Sequence, residues 1–143
     1  MAQDSSINIE RTYHSSVAKI WEALTDVSKM RDWYFDIPDF RLEQGASFRF
    51  FESGTARRFA HYGVILHIDA MKELCHSWSY PEQSKGESIL TWQLIPRGSA
   101  TIVRLQHKGL DSFADAGEDF SMAKFRKGWE DILGRSLATY LEP

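Results

Sequence analysis

The chain has a single cysteine, Cys75, among its 143 residues. It can form no intrachain disulfide and no cysteine-based zinc site, and a reducing compartment is the natural expectation. Charge of one sign is never concentrated. The formal net charge is −3, and no run of like charges is long enough for a nucleic-acid or membrane patch. The opening MAQDSSINIE lacks the basic and apolar regions of a signal peptide, and no apolar stretch approaches a membrane span. These absences predict a cytoplasmic protein without a nucleic-acid partner.

Familiar catalytic signatures are missing as well. No nucleophile elbow, P-loop, dinucleotide fingerprint, H-E-x-x-H or EF-hand pattern occurs. His61 and His67, on one predicted strand, stand about 20 Å apart at some 3.3 Å per residue. They cannot share an ion, so neither metal nor cofactor is expected.

Aromatic residues, in contrast, are plentiful at 13%. Such side chains bury a large area from few positions, which suits a wide core or a lined hollow. The length is that of one domain, expected to run from 1 to 143.

Residues 6–13 alternate, with Ile7, Ile9, Arg11 and Tyr13 on one side, as in a half-buried strand. Ser15 or Ser16 can cap a helix whose Val17, Ile20, Trp21 and Leu24 fall at helical spacing, and Asp26 can cap a second, short one. From Phe40 to His107 the period becomes two, which predicts an antiparallel meander. Residues 108–119 read as a polar loop. Met122, Phe125, Trp129, Ile132, Leu133, Leu137, Tyr140 and Leu141 then keep a helical period to the end. The fold class this order predicts is α+β, with helices gathered on one face of an antiparallel sheet.

The early "VAKIWEALTD…MRDW", the "GVILHID" of 63–69 followed by "ELCHSW", the late "TIVRLQHKGL", and "GW…L…L…L" from Gly128 to Leu141 together carry a resemblance. In this ordered set the chain resembles the START-like, helix-grip superfamily, and within it the family named for the activator of Hsp90 ATPase homologue. The resemblance implies a curved antiparallel sheet wrapped around a long C-terminal helix, two short helices after the first strand, and a hydrophobic cavity between sheet and helix.

Strand parity proposes the cavity walls: Phe48 and Phe50, then Tyr62, Val64 and Leu66, then His76 and Trp78, then Trp92, then Val103. Phe125, Trp129 and Leu133 are the candidates from the helix, although the stripe of Met122, Phe125 and Trp129 reads more readily as core than as ligand wall. Arg11, Glu52, His76 and His107 fall on the same faces. An unpaired charge there would be costly. They are either polar anchors in an apolar pocket or residues satisfied at strand ends and in the wall. Gly128 and Gly134, each costing the helix about 1 kcal/mol relative to Ala, either admit a close approach and open room for a ligand or simply face solvent.

The leading functional expectation is non-catalytic binding of a small hydrophobic or amphipathic molecule. The resemblance also implies two alternatives: stimulation of an Hsp90-type chaperone's ATPase through protein contact, and a cyclase, dehydratase or hydrolase working in the same cavity. For the last, His76, His107, Glu52 and Arg11 are the acid, base and anchor candidates. An open sheet edge leaves both monomer and homodimer open.

Overall fold

The computed structural model describes residues 6–51, 59–117 and 120–142. Strand β1 (Ile7–Tyr13) leads into helix α1 (Val17–Thr25) and helix α2 (Val27–Trp33). Ser16 caps α1 by accepting from the Lys19 amide at 3.1 Å. Asp26 both ends α1 and caps α2, accepting from the Ser28 and Lys29 amides. The two helices are locked at an angle by the Trp33 indole, which donates to the Ala23 carbonyl at 2.9 Å. Ile20, Trp21, Leu24, Met30 and Trp33 are buried as one face. The bulk near the N-terminus therefore closes one end of the core.

Five further strands follow: β2 (Ser47–Phe51), β3 (Ala60–Asp69), β4 (Glu73–Trp78), β5 (Ser88–Arg97) and β6 (Ala100–Lys108). They form one curved sheet in the order β1-β6-β5-β4-β3-β2, antiparallel at every pairing. The inner row along β4, β5 and β6 is mostly apolar, with Leu74, Leu90, Trp92, Leu94, Val103 and Leu105 buried, and His76 and His107 are buried in the same row.

Parity on β3 is the reverse of the sequence expectation. Directly paired residues of antiparallel strands point to the same face. Phe48 pairs with Gly63 and Phe50 with His61, so His61, Gly63 and Ile65 face inward. Tyr62 and Val64 lie on the outer face opposite Arg49 and Ser47. The Arg49 guanidinium sits over the Tyr62 ring at 5.9 Å. Leu66 is 41% exposed. Gly63 explains the choice: a Cβ there would come within 2.5 Å of the Phe48 ring and 2.6 Å of the Ser77 carbonyl oxygen. A register shift between Ile65 and His67 then changes the phase, and Ile68 packs against the core again.

Arg11 is a second correction. It pairs with buried Val103, yet it is exposed and its guanidinium donates to the Glu10 carbonyl. β1 is an edge strand, and the long aliphatic stem carries the charge out past that edge. Residues 110–116, expected to be loop, form a 3-10 helix (Leu110–Ala116) that buries Leu110 and Phe113 at the three-residue spacing of that helix.

The chain closes with helix α3 (Met122–Asp131), a π-helical segment (Ile132–Leu137) and helix α4 (Ala138–Leu141). Ser121 caps α3. Trp129, Leu133, Leu137 and Leu141 are buried, one every four residues. The rod is pinned to the first part of the chain at two places. The Tyr13 hydroxyl donates to the Leu133 carbonyl at 2.5 Å, and Lys19 Nζ donates to the Leu141 carbonyl at 3.2 Å. Gly128 and Gly134 are exposed, and a Cβ at either would meet nothing within 4 Å. Neither glycine serves a close approach to the sheet.

Candidate functional site

Trp78, at the end of β4, is the centre of the inner face. Rings of three histidines surround it: His61 at 5.3 Å, His107 at 5.6 Å and His76 at 6.2 Å between centroids. Trp129 of α3 approaches it at 5.4 Å, tilted by 62°. The Trp78 indole N–H donates to the Tyr80 hydroxyl at 2.8 Å.

Burial keeps all three histidines neutral. His61 and His76 are pushed down to about 4 and His107 to about 3, in each case chiefly because the charged ring would lose its water. Nearby His76 lowers His107 further. The partners also fix the tautomer of His107. An indole N–H only donates, so His107 Nδ1, 3.0 Å from Trp129 Nε1, must accept. The ring proton therefore sits on Nε2 and is donated to Ser88 Oγ at 2.7 Å, while the Ser88 hydroxyl donates to the Trp78 carbonyl at 2.8 Å. The chain of donors runs from helix α3 through β6 and β5 to β4, and both nitrogens of His107 are occupied. His76 and His61 direct Nδ1–H at the carbonyls of Ser77 and Phe59, both ring positions assigned by the acceptor they face.

Two spaces adjoin Trp78. One is a cavity of about 190 Å³ between the sheet and α3. Its walls are Phe35, Phe59, His61, Trp78, Tyr80, Phe120, Phe125, Trp129 and Ile132, and the exposed Lys124 and Gly128 stand at its mouth. The other is a remnant of about 10 Å³ among Tyr34, Phe48, Phe50, His76, Trp78 and Trp92, which side chains have all but filled. The Tyr34 hydroxyl is fully buried with no hydrogen-bond partner among the described residues, and burial drives its pKa well above the ordinary phenol value.

Of the residues proposed from sequence, Trp78, Phe125 and Trp129 thus line the larger cavity. Phe48, Phe50, His76 and Trp92 surround the filled remnant. Val103 and Leu133 are fully packed core, and His107 is sealed behind Trp129. Tyr62, Val64, Leu66 and Arg11 face away or outward, and Glu52 lies outside the described residues. Sequence reasoning put Tyr80 on the face of His76 and Trp78 without including it among the wall residues, and it missed Phe35, Phe59, His61, Phe120, Lys124, Gly128 and Ile132 as lining residues. Among the described residues no three metal-ligating side chains gather, and no helix is long and apolar enough to cross a membrane.

A curved antiparallel sheet, short helices behind its first strand and a terminal helix laid across its inner face define a helix-grip protein. More narrowly, residues 14–142 match the activator of Hsp90 ATPase homolog 1-like protein family, and the chain belongs to it. Solved structures share the fold. CV1439 from Chromobacterium violaceum superposes with a TM-score of 0.83 at 15% identity, covering 97% of this chain and 98% of that one. CalU16 from Micromonospora echinospora gives 0.74 at 24% identity, covering 96% and 76%. The Aha1 dimer from Colwellia psychrerythraea gives 0.72 at 23% identity, covering 96% of both chains. No curated protein matches the sequence.

Proposed function

We propose that the protein is a binding protein that holds a small, mainly apolar molecule between its sheet and α3. One observation carries this reading: a cavity of about 190 Å³ lined mostly by aromatic side chains, with the exposed Lys124 and Gly128 at its mouth. Apolar walls with a few placed polar groups are the usual build of a small-molecule site. A cavity of about 150 Å³ is already enough to take up benzene, so this one accommodates a one-ring molecule with modest substituents.

The non-catalytic form of the reading is supported by the histidines. His107 has both nitrogens engaged and His76 lines the filled remnant, and neither borders the cavity. His61 alone does. The rival reading, contact with an Hsp90-type chaperone, draws on the family's name and on the exposed Leu66 and Met71 beside the β3–β4 turn.

The test is native mass spectrometry of the purified protein, with extraction of any retained molecule, repeated on Gly128→Leu. A Cβ at this helical position meets nothing within 4 Å, so a leucine is expected to be tolerated there and to narrow the mouth. A stoichiometric apolar ligand in the native protein and none in the variant is the expected result. Protein that stays empty after exposure to a broad metabolite library overturns the proposal and turns attention to the outer surface.

A further inference from the structure

We infer that the grip cavity selects a monocyclic aromatic carboxylate, ring inward and carboxylate at Lys124; this rests on the binding reading above. Three features of the cavity lead to it. Its size fits one six-membered ring with a short substituent, judged against a benzene-sized cavity of about 150 Å³.

Its walls favour a flat ring over a saturated one. Trp78 and Trp129 meet at 62° and 5.4 Å, Phe35 and Trp78 at 58° and 6.4 Å, and Tyr80 and Phe120 at 71° and 4.5 Å. Rings tilted in this way offer both π-faces and positive edges to a guest. An aromatic guest completes edge-to-face contacts that an aliphatic guest of the same volume cannot make.

Among the described residues, Lys124 is the only formally charged one that lines the cavity, and none of them forms an ion pair with it. His61, the other basic side chain among the described lining residues, is held neutral by burial and does not offer a second positive charge to an anion. A guest with one carboxylate is therefore oriented, its charge at the wet mouth and its ring among the aromatic side chains. A cationic guest would meet repulsion at the same place. Lys124 and Gly128 are one helical step of four residues apart, so the bare glycine leaves the ammonium unobstructed from that side.

Benzoate, benzyl alcohol and cyclohexanecarboxylate separate the parts of the inference. Binding is read by calorimetry and by the indole N–H resonances of Trp78 and Trp129, on the native protein, on Lys124→Met and on Gly128→Leu. Benzoate is expected to bind most tightly and to shift both indoles. Lys124→Met should weaken benzoate about tenfold and leave benzyl alcohol unchanged, and added salt should weaken benzoate alone. Gly128→Leu should abolish binding of all three. Equal affinity for benzoate and benzyl alcohol, or no loss in Lys124→Met, overturns the carboxylate and leaves the cavity reading in place. Cyclohexanecarboxylate binding as tightly as benzoate overturns the aromatic preference. Binding that survives Gly128→Leu puts the site elsewhere and overturns the inference. No binding of any probe at millimolar concentration overturns both the inference and the one-ring binding reading beneath it.

Discussion

Trp129 on the terminal helix donates its indole proton to Nδ1 of His107 on β6, 3.0 Å away, in the middle of the core. This bond couples helix to sheet and decides which nitrogen of the imidazole keeps its proton. Trp129→Phe leaves a buried acceptor without its donor and a gap where the larger ring stood. The expected loss is about 3 kcal/mol in urea unfolding. In nitrogen-detected spectra His107 should be a single Nε2–H tautomer in the native protein and a mixture in the variant.

Acid should unfold the protein earlier than its mixed surface charge suggests. His61, His76 and His107 have folded pKa values of about 4, about 4 and about 3, against about 6.5 when unfolded. Between those limits the unfolded chain binds protons that the folded one refuses, so stability falls as pH drops. The contribution of the neutral rings is complete above pH 6.5 and is lost progressively toward pH 4 for His61 and His76 and toward pH 3 for His107. At pH 5 the loss amounts to about 2 kcal/mol for each ring. Thermal melts should be flat from pH 7 to 8 and decline steeply from pH 6.5 to 5. Flat melts down to pH 5 would contradict the burial of these rings.

Two glycine-to-alanine changes should have opposite signs. At Gly63 the new methyl would lie 2.5 Å from the Phe48 ring and 2.6 Å from a backbone oxygen, which a sheet cannot yield without losing its pairing. A loss of about 3 kcal/mol or more is expected. At Gly128 the methyl enters open space on a helix, and a gain of about 1 kcal/mol follows from propensity alone. Denaturant midpoints of the two variants check both.

Removing the Tyr34 hydroxyl should do no harm. It is buried with no partner among the described residues, so they give no bond in return for its desolvation. Tyr34→Phe keeps the stack on Trp33 at 4.9 Å and the edge contact with Trp92 at 6.1 Å. It is expected to unfold at the same or higher urea concentration, by up to about 1 kcal/mol.

The helices and the last three strands were legible because each has one period and one apolar face. Leu74, His76 and Trp78, or Leu90, Trp92 and Leu94, alternate with side chains that have no claim on the core. Along β3 that condition fails. Val64, Ile65 and Leu66 are apolar in succession, so either face could be inner, and the bulge after Ile65 changes the phase within the strand. The one local signal was Gly63, since a glycine inside a strand often marks a close backbone approach. The Leu110 and Phe113 spacing was likewise present in a segment that its charges made look like loop. Phe35 and Phe59, which complete the cavity wall, stand outside helices and strands and carry no periodicity to read.

The terminal helix buries a side chain every four residues, from Trp129 through Leu133 and Leu137 to Leu141. In a uniform α-helix, at about 100° per residue, each such step overshoots a full turn by about 40°, and three steps carry the stripe about 120° around the rod. Leu141 would then leave the sheet. The π-helical turn at 132–137 advances less per residue and returns the stripe to its starting bearing. Removing one residue from that turn, rather than exchanging it, is thus the change that would uncouple the two ends: Trp129 could keep its seat beside Trp78 only if Leu141 gave up its own.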